Sequence, residues 1–208
     1  MIAQGQRGDR LVRGIIRSFL GFAAATAALS AAPALAQRQV ADASDPWVHA
    51  PTGTRFPATI EGFERGRVTE YSEDGRDASV GYTMRRGDEW VTVTLYVYPS
   101  IADWDCQTTF ADVKRNIENH KGAQLVSEGL GPAPSGRGGP AAFHARYSLP
   151  AGAMGERVPA VRSDAYLYCP AGGEWLVKYR ATWGAEGDFS KEVETLLRAI
   201  AWPKKLGG

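Results

Sequence analysis

The chain has 208 residues, 23% of them charged and 44% apolar, and its bases exceed its acids by a single charge. That balance excludes a charged disordered tail, and 24 glycines with 12 prolines fall short of a low-complexity composition. The charge is unevenly placed, because residues 1–36 hold Arg7, Arg10, Arg13 and Arg17 against Asp9 alone. The remainder therefore carries 20 bases (24 less four) and 22 acids (23 less one), a net of −2.

Arg13 and Arg17 precede an uncharged run, FLGFAAATAALSAA, which Pro33 breaks before Ala34-Leu35-Ala36. A basic start, a short apolar stretch and an A-x-A site form the secretory signal pattern, and cleavage is expected after Ala36. The run is too short for a membrane anchor, which needs about 20 predominantly apolar residues. No cysteine follows it to carry a lipid, and no Arg-Arg pair marks the twin-arginine route. The expected product is an exported chain of 172 residues (208 less 36), periplasmic or secreted, with no stable membrane span.

Residues 37–52 are polar and aperiodic and read as a linker, leaving one domain over 53–203 and a tail at 204–208. Strands are expected at Phe63–Ser72 and Ala78–Met84, joined by a turn through Asp74-Gly75. In Trp90–Tyr98, Val91, Val93, Leu95 and Val97 alternate with Thr92, Thr94, Tyr96 and Tyr98, as a half-buried strand requires. The period then changes. Cys106, Phe110, Val113 and Ile117 fall on one face of a helix expected over Ala102–His120, with Ser100 and Asp103 resembling a capping box.

Strands resume at Ala123–Leu130 and, past the Gly/Pro-rich loop 131–140, at Ala141–Leu149. Val161–Cys169 and Glu174–Trp183 form a hairpin, and a helix capped by Asp188 runs to Ile200 before Pro203. Hairpin-linked strands with two amphipathic helices predict the α+β class: an antiparallel sheet of about six to seven strands with both helices packed on it.

This element order, the entry segment Thr52-Gly53-Thr54-Arg55-Phe56-Pro57 and the closing Ala201-Trp202-Pro203 resemble the PsbP/MOG1-like family of α/β sandwiches over about Gly53–Pro203. The resemblance implies an exported bacterial accessory or binding protein. It supplies no catalytic residues to transfer.

Cys106 and Cys169 are an even pair in a chain bound for an oxidising compartment, which predicts a disulfide. The competing reading is two buried thiols that never meet. His49, His120 and His144 are widely separated, without ligand spacing, and read as surface histidines, so neither a metal nor another cofactor is expected. Neither a G-x-S-x-G elbow nor a C-x-x-C motif occurs. The acids Glu73, Asp74 and Asp77 read as a hairpin turn, and Asp103 and Asp105 as a helix start. A net charge of −2 argues against a nucleic-acid partner.

What remains is the set of residues opposite the strands' apolar faces. Tyr96, Tyr98, His144, Arg146, Arg162, Tyr166, Tyr168 and Arg180, with Lys178 and the threonines beside them, are expected to form one Tyr/Arg-rich platform. Tyrosine and arginine are enriched in recognition surfaces. An ordinary solvated sheet face, or a face covered by the second helix, would have the same composition. The functional expectation is a non-catalytic binding protein for an envelope protein, glycan or small molecule. The alternative is a cell-envelope hydrolase using His144 and Asp164.

Overall fold

The computed structural model describes residues 37–136 and 141–206, so the leader expected at 1–36 lies outside the described residues. In chain order the elements are β1 (Arg38–Gln39), β2 (Trp47–His49), β3 (Thr54–Phe56), β4 (Thr59–Ile60), β5 (Phe63–Glu70), β6 (Ala78–Arg86) and β7 (Glu89–Pro99). Then come α1 (Cys106–Glu118), β8 (Gln124–Gly131), β9 (Ala142–Leu149), β10 (Val161–Tyr168), β11 (Trp175–Gly184) and α2 (Ser190–Ala199), followed by a 3-10 turn at Lys204–Leu206. The main sheet is antiparallel throughout, in the order β1-β5-β6-β7-β11-β10-β9-β8 with β4 also on β5. β2 and β3 pair separately. The class is α+β, as expected, but the sheet has nine strands among the described residues rather than six to seven. The additional strands β1 and β4 have two residues each, too short to carry a periodic signal.

Residues 37–52 belong to the fold rather than to a linker. Arg38 lies opposite Glu70 and pairs with it, Val40 donates its N–H to Val68, and Trp47 and His49 are buried. Arg65 anchors the segment by donating to the carbonyls of Ala43 and Ser44. The tail is also packed: Leu206 is buried, and Lys205 donates to the Pro51 carbonyl. Contacts of this kind join residues far apart in sequence and leave no local pattern.

α1 begins where Asp105 accepts from the Thr108 N–H, so its N-cap is Asp105 rather than Ser100 of the expected box. Its buried face, Phe110, Val113 and Ile117, packs on Ala145, Tyr147, Leu149, Val161, Ala165 and Leu167. The Cys106–Cys169 disulfide fastens its first turn to the end of β10. α2 follows Phe189, which is buried, while Asp188 accepts from the Ser190 N–H and hydroxyl. Val193, Leu196 and Leu197 pack in a second cluster with Val80, Tyr82, Val93, Leu95, Val177, Tyr179 and Trp183.

These two clusters lie on opposite faces of the sheet. β7 and β11 pair odd with odd residues, as do β9 and β10, but β10 and β11 pair odd with even: Ala165 lies opposite Arg180 and Tyr166 opposite Tyr179. Directly paired residues share a face. The apolar side of β9 and β10 therefore faces α1, and the apolar side of β7 and β11 faces α2. Each face is apolar under its helix and polar beyond it.

Candidate functional site

The residues expected to form one platform are divided between these faces. Tyr96, Tyr98, Lys178 and Arg180 lie on the α1 side; His144, Arg146, Arg162, Tyr166 and Tyr168 lie on the α2 side. Tyr168 is buried in the α2 core, and Arg162 is exposed. The platform is corrected to two separate clusters, because the odd–even register of the β10–β11 hairpin reverses which parity faces which helix.

On the α2 side the centre is Asp164, at 1% exposure. Arg146 grips it from β9, with Nε 2.9 Å from Oδ1 and Nη2 2.7 Å from Oδ2, and His144 Nε2 lies 3.1 Å from Oδ2. The Tyr166 hydroxyl donates at 3.4 Å, and Arg146 Nη2 also donates to Ser190 Oγ at the start of α2, at 3.2 Å. The His144 ring stacks on Tyr166 at 4.2 Å, and Tyr166 on Tyr179 at 4.3 Å. Burial works against the Asp164 charge, but the hydrogen bonds from His144 and Arg146 outweigh it and hold the carboxyl below its usual range. Arg146 is correspondingly held more firmly in its charged form by that bond. Every charge introduced here meets its complement, and the cluster ties β9 and β10 to α2.

His144 and Asp164 thus meet, as the hydrolase alternative needs. Among the described residues, however, no hydroxyl or thiol bonds the histidine's other nitrogen, so no nucleophile is lined up.

The α1 side is different. Beyond the edge of the helix, Tyr96 and Tyr98 from β7 and Lys178 and Arg180 from β11 form the floor of a cleft whose wall is α1. Two hollows of about 220 and 210 Å³ adjoin there and share Tyr96, Val113 and Lys178. A third, of about 360 Å³, continues over the polar half of the sheet past Tyr71 and Tyr96. Lys178 lies directly opposite Tyr96, and its ammonium sits 3.8 Å from that ring's centre and 5.9 Å from the ring of Tyr98. Arg180 donates Nε to Ser163 Oγ at 2.8 Å and Nη2 weakly to Met154 Sδ at 3.8 Å.

Burial lowers the affinity of both cations for their protons, although Asp77 and Asp112 pull Lys178 back towards the charged form. Burial raises Asp77 and both tyrosines above their usual ranges. Among the described residues no carboxylate comes within 4.0 Å of either cation, and Asp112 instead pairs with Arg115 at 2.8 Å.

Asp77 and Tyr71 were not legible as site residues, since Asp77 reads as turn chemistry and only the tertiary fold brings it to the cleft. Lys178 had a visible signal: a lysine alternating with Val177 and Tyr179 must project from the opposite face. His49 is a further correction. It is buried rather than superficial, with Nδ1 2.7 Å from Thr52 Oγ1 and Nε2 donating to the Arg76 carbonyl at 3.2 Å. Burial holds it neutral by lowering its pKa.

Among the described residues, no group of three or more His, Cys, Asp or Glu side chains is arranged to hold a metal ion. Comparison with protein-family models, curated proteins and solved structures returned no match.

Proposed function

We propose that this chain is an exported, non-catalytic accessory or binding protein of the PsbP/MOG1-like kind, and that its binding site is the cleft beside α1. The observation carrying this reading is a ligand-sized cleft floored by Tyr96, Tyr98, Lys178 and Arg180, whose cations have no carboxylate partner within ion-pair distance among the described residues. Concave sites of this sort, with a few converging polar groups, are where small ligands bind. A glycan or small molecule fits such a cleft better than a flat protein surface does. Export is supported by the Cys106–Cys169 disulfide and by the signal pattern at 1–36. Among the described residues no helix is long and apolar enough to cross a membrane.

Native mass spectrometry of the protein purified from its own producing cells tests the reading. A discrete adduct that is lost in Tyr96→Ala supports the cleft, and an adduct indifferent to that change overturns it. N-terminal sequencing of the same sample is expected to begin at Gln37; a chain retaining residues 1–36 would remove the export reading.

The hydrolase reading has the 3.1 Å approach of His144 to Asp164 in its favour. The bidentate hold of Arg146 on that carboxylate favours a structural brace instead.

A further inference from the structure

We propose that the cleft binds an oxyanion, the carboxylate or phosphate group of a small organic molecule, between Lys178 and Arg180. This deepens the reading of the cleft as a binding site and rests on it.

The argument starts from what burial does to a cation. Withdrawing an ammonium or guanidinium from water is costly unless a complementary charge or hydrogen-bond acceptors replace the water. Elsewhere in this protein the replacement is made: Arg146, also partly buried, holds Asp164 at 2.7 Å. Among the described residues, Lys178 and Arg180 have no such partner. The Lys178 ammonium leans on the face of Tyr96, with no hydrogen bond to an acceptor among the described residues, and Arg180 commits Nε to a neutral serine and Nη2 to a thioether. Lys178 lines both hollows, and Arg180 joins it in lining the second.

The spacing suits one anionic group. Residues two apart on a strand emerge from the same face about 7 Å apart, and both side chains are long enough to converge on a carboxylate or phosphate between them. Arginine matches the planar geometry of such groups, and lysine serves as a point charge. The rings of Tyr96 and Tyr98 supply an apolar surface for the rest of the ligand, while Asn116 of α1 lines the hollow on the Arg180 side. Asp77 and Asp112 line only the other hollow, where they disfavour a second anionic group.

The test follows side-chain NMR signals of Lys178, Arg180 and Tyr96 in the isotope-labelled protein during titration with inorganic phosphate, with glucuronate, and with glucose as the neutral counterpart. Phosphate or glucuronate should move the Lys178 and Arg180 signals while glucose does not. Lys178→Met and Arg180→Met should each weaken that binding at least tenfold, and Lys178→Arg should largely retain it. Stronger binding of glucuronate identifies a carboxylate ligand, and stronger binding of phosphate a phosphate ligand.

Anions that leave both signals unmoved, or bind the methionine variants as well as the parent, overturn the proposal. Glucose moving Tyr96 while neither anion moves Lys178 overturns the oxyanion alone and leaves the cleft standing. Loss of the cleft itself would be shown instead by an adduct insensitive to Tyr96→Ala.

Discussion

Asp164 and Lys178 stand on adjacent strands of one sheet, project from opposite faces, and are both largely withdrawn from water, yet their surroundings differ in kind. Asp164 is surrounded by donors from β9 and β10, and its principal partner, Arg146, extends the network to α2. Lys178 has two tyrosine faces and, among the described residues, no carboxylate within 4.0 Å, Asp77 and Asp112 acting on it only from farther off. A buried charge whose complement comes from the same chain braces the fold, whereas one without a close counter-charge carries an electrostatic cost that an outside anion would relieve. Two polar regions that look alike in sequence thus differ in the structure: one is closed by its own chain, and the other is the cleft proposed to take a ligand.

The largest expected effect concerns the cleft's wall. Replacing both cysteines with alanine frees a loop spanning a sequence separation of 63 residues, which on the chain-entropy model costs about 4 kcal/mol. Hydrogen exchange should rise first in α1, which lines the cleft, and last in α2. Equal loss of protection in both helices would break the distinction between the two faces.

Asp164→Asn comes next. It leaves Arg146 without its buried counter-charge and should cost about 3 kcal/mol. For a domain of this size that corresponds to roughly 10 °C in Tm. A change under about 1 kcal/mol would show that the cluster is not a brace.

Lys178→Met is the opposite case. It removes a desolvated charge and keeps the volume, so thermal stability should be unchanged or rise by about 1 kcal/mol at neutral pH. A clear loss would mean that Lys178 is a structural cation after all.

The smallest effects are in pH, and their signs separate the faces. Asp164 is held below 3.8, so the stability it contributes is present above that value and is lost as pH falls through its lower folded pKa. Lys178 is held below 10.5, so the folded state releases its proton first. Stability from this group rises with pH between its folded value and 10.5. The Tm advantage of Lys178→Met should therefore shrink as pH approaches 10.5. An advantage independent of pH would remove the desolvation argument.

Much of this was written locally. Val91, Val93, Leu95 and Val97 alternate with polar residues because the side-chain period of a strand is two, and all four are buried. Phe110, Val113 and Ile117 mark the helix by their spacing, and the two cysteines pair as expected. The segment 37–52 escaped notice because its strands are two and three residues long and are held by distant partners such as Arg65 and Glu70. Asp77 escaped because a turn explains it equally well.

The sequence by itself determined the class of fold, the parity of the longer strands such as β7, β10 and β11, both amphipathic helices and the eight residues from which a recognition surface was drawn. It could not determine which parity of one strand faces the same way as which parity of the next. That was decided at the β10–β11 hairpin, where Ala165 lies opposite Arg180. A pattern of period two records alternation within a strand but not the register between strands, and a shift of one residue exchanges the faces. The observed register gives each helix an apolar patch to cover, on opposite sides of the sheet. This choice divided one apparent platform into a brace around Asp164 and a cleft around Lys178.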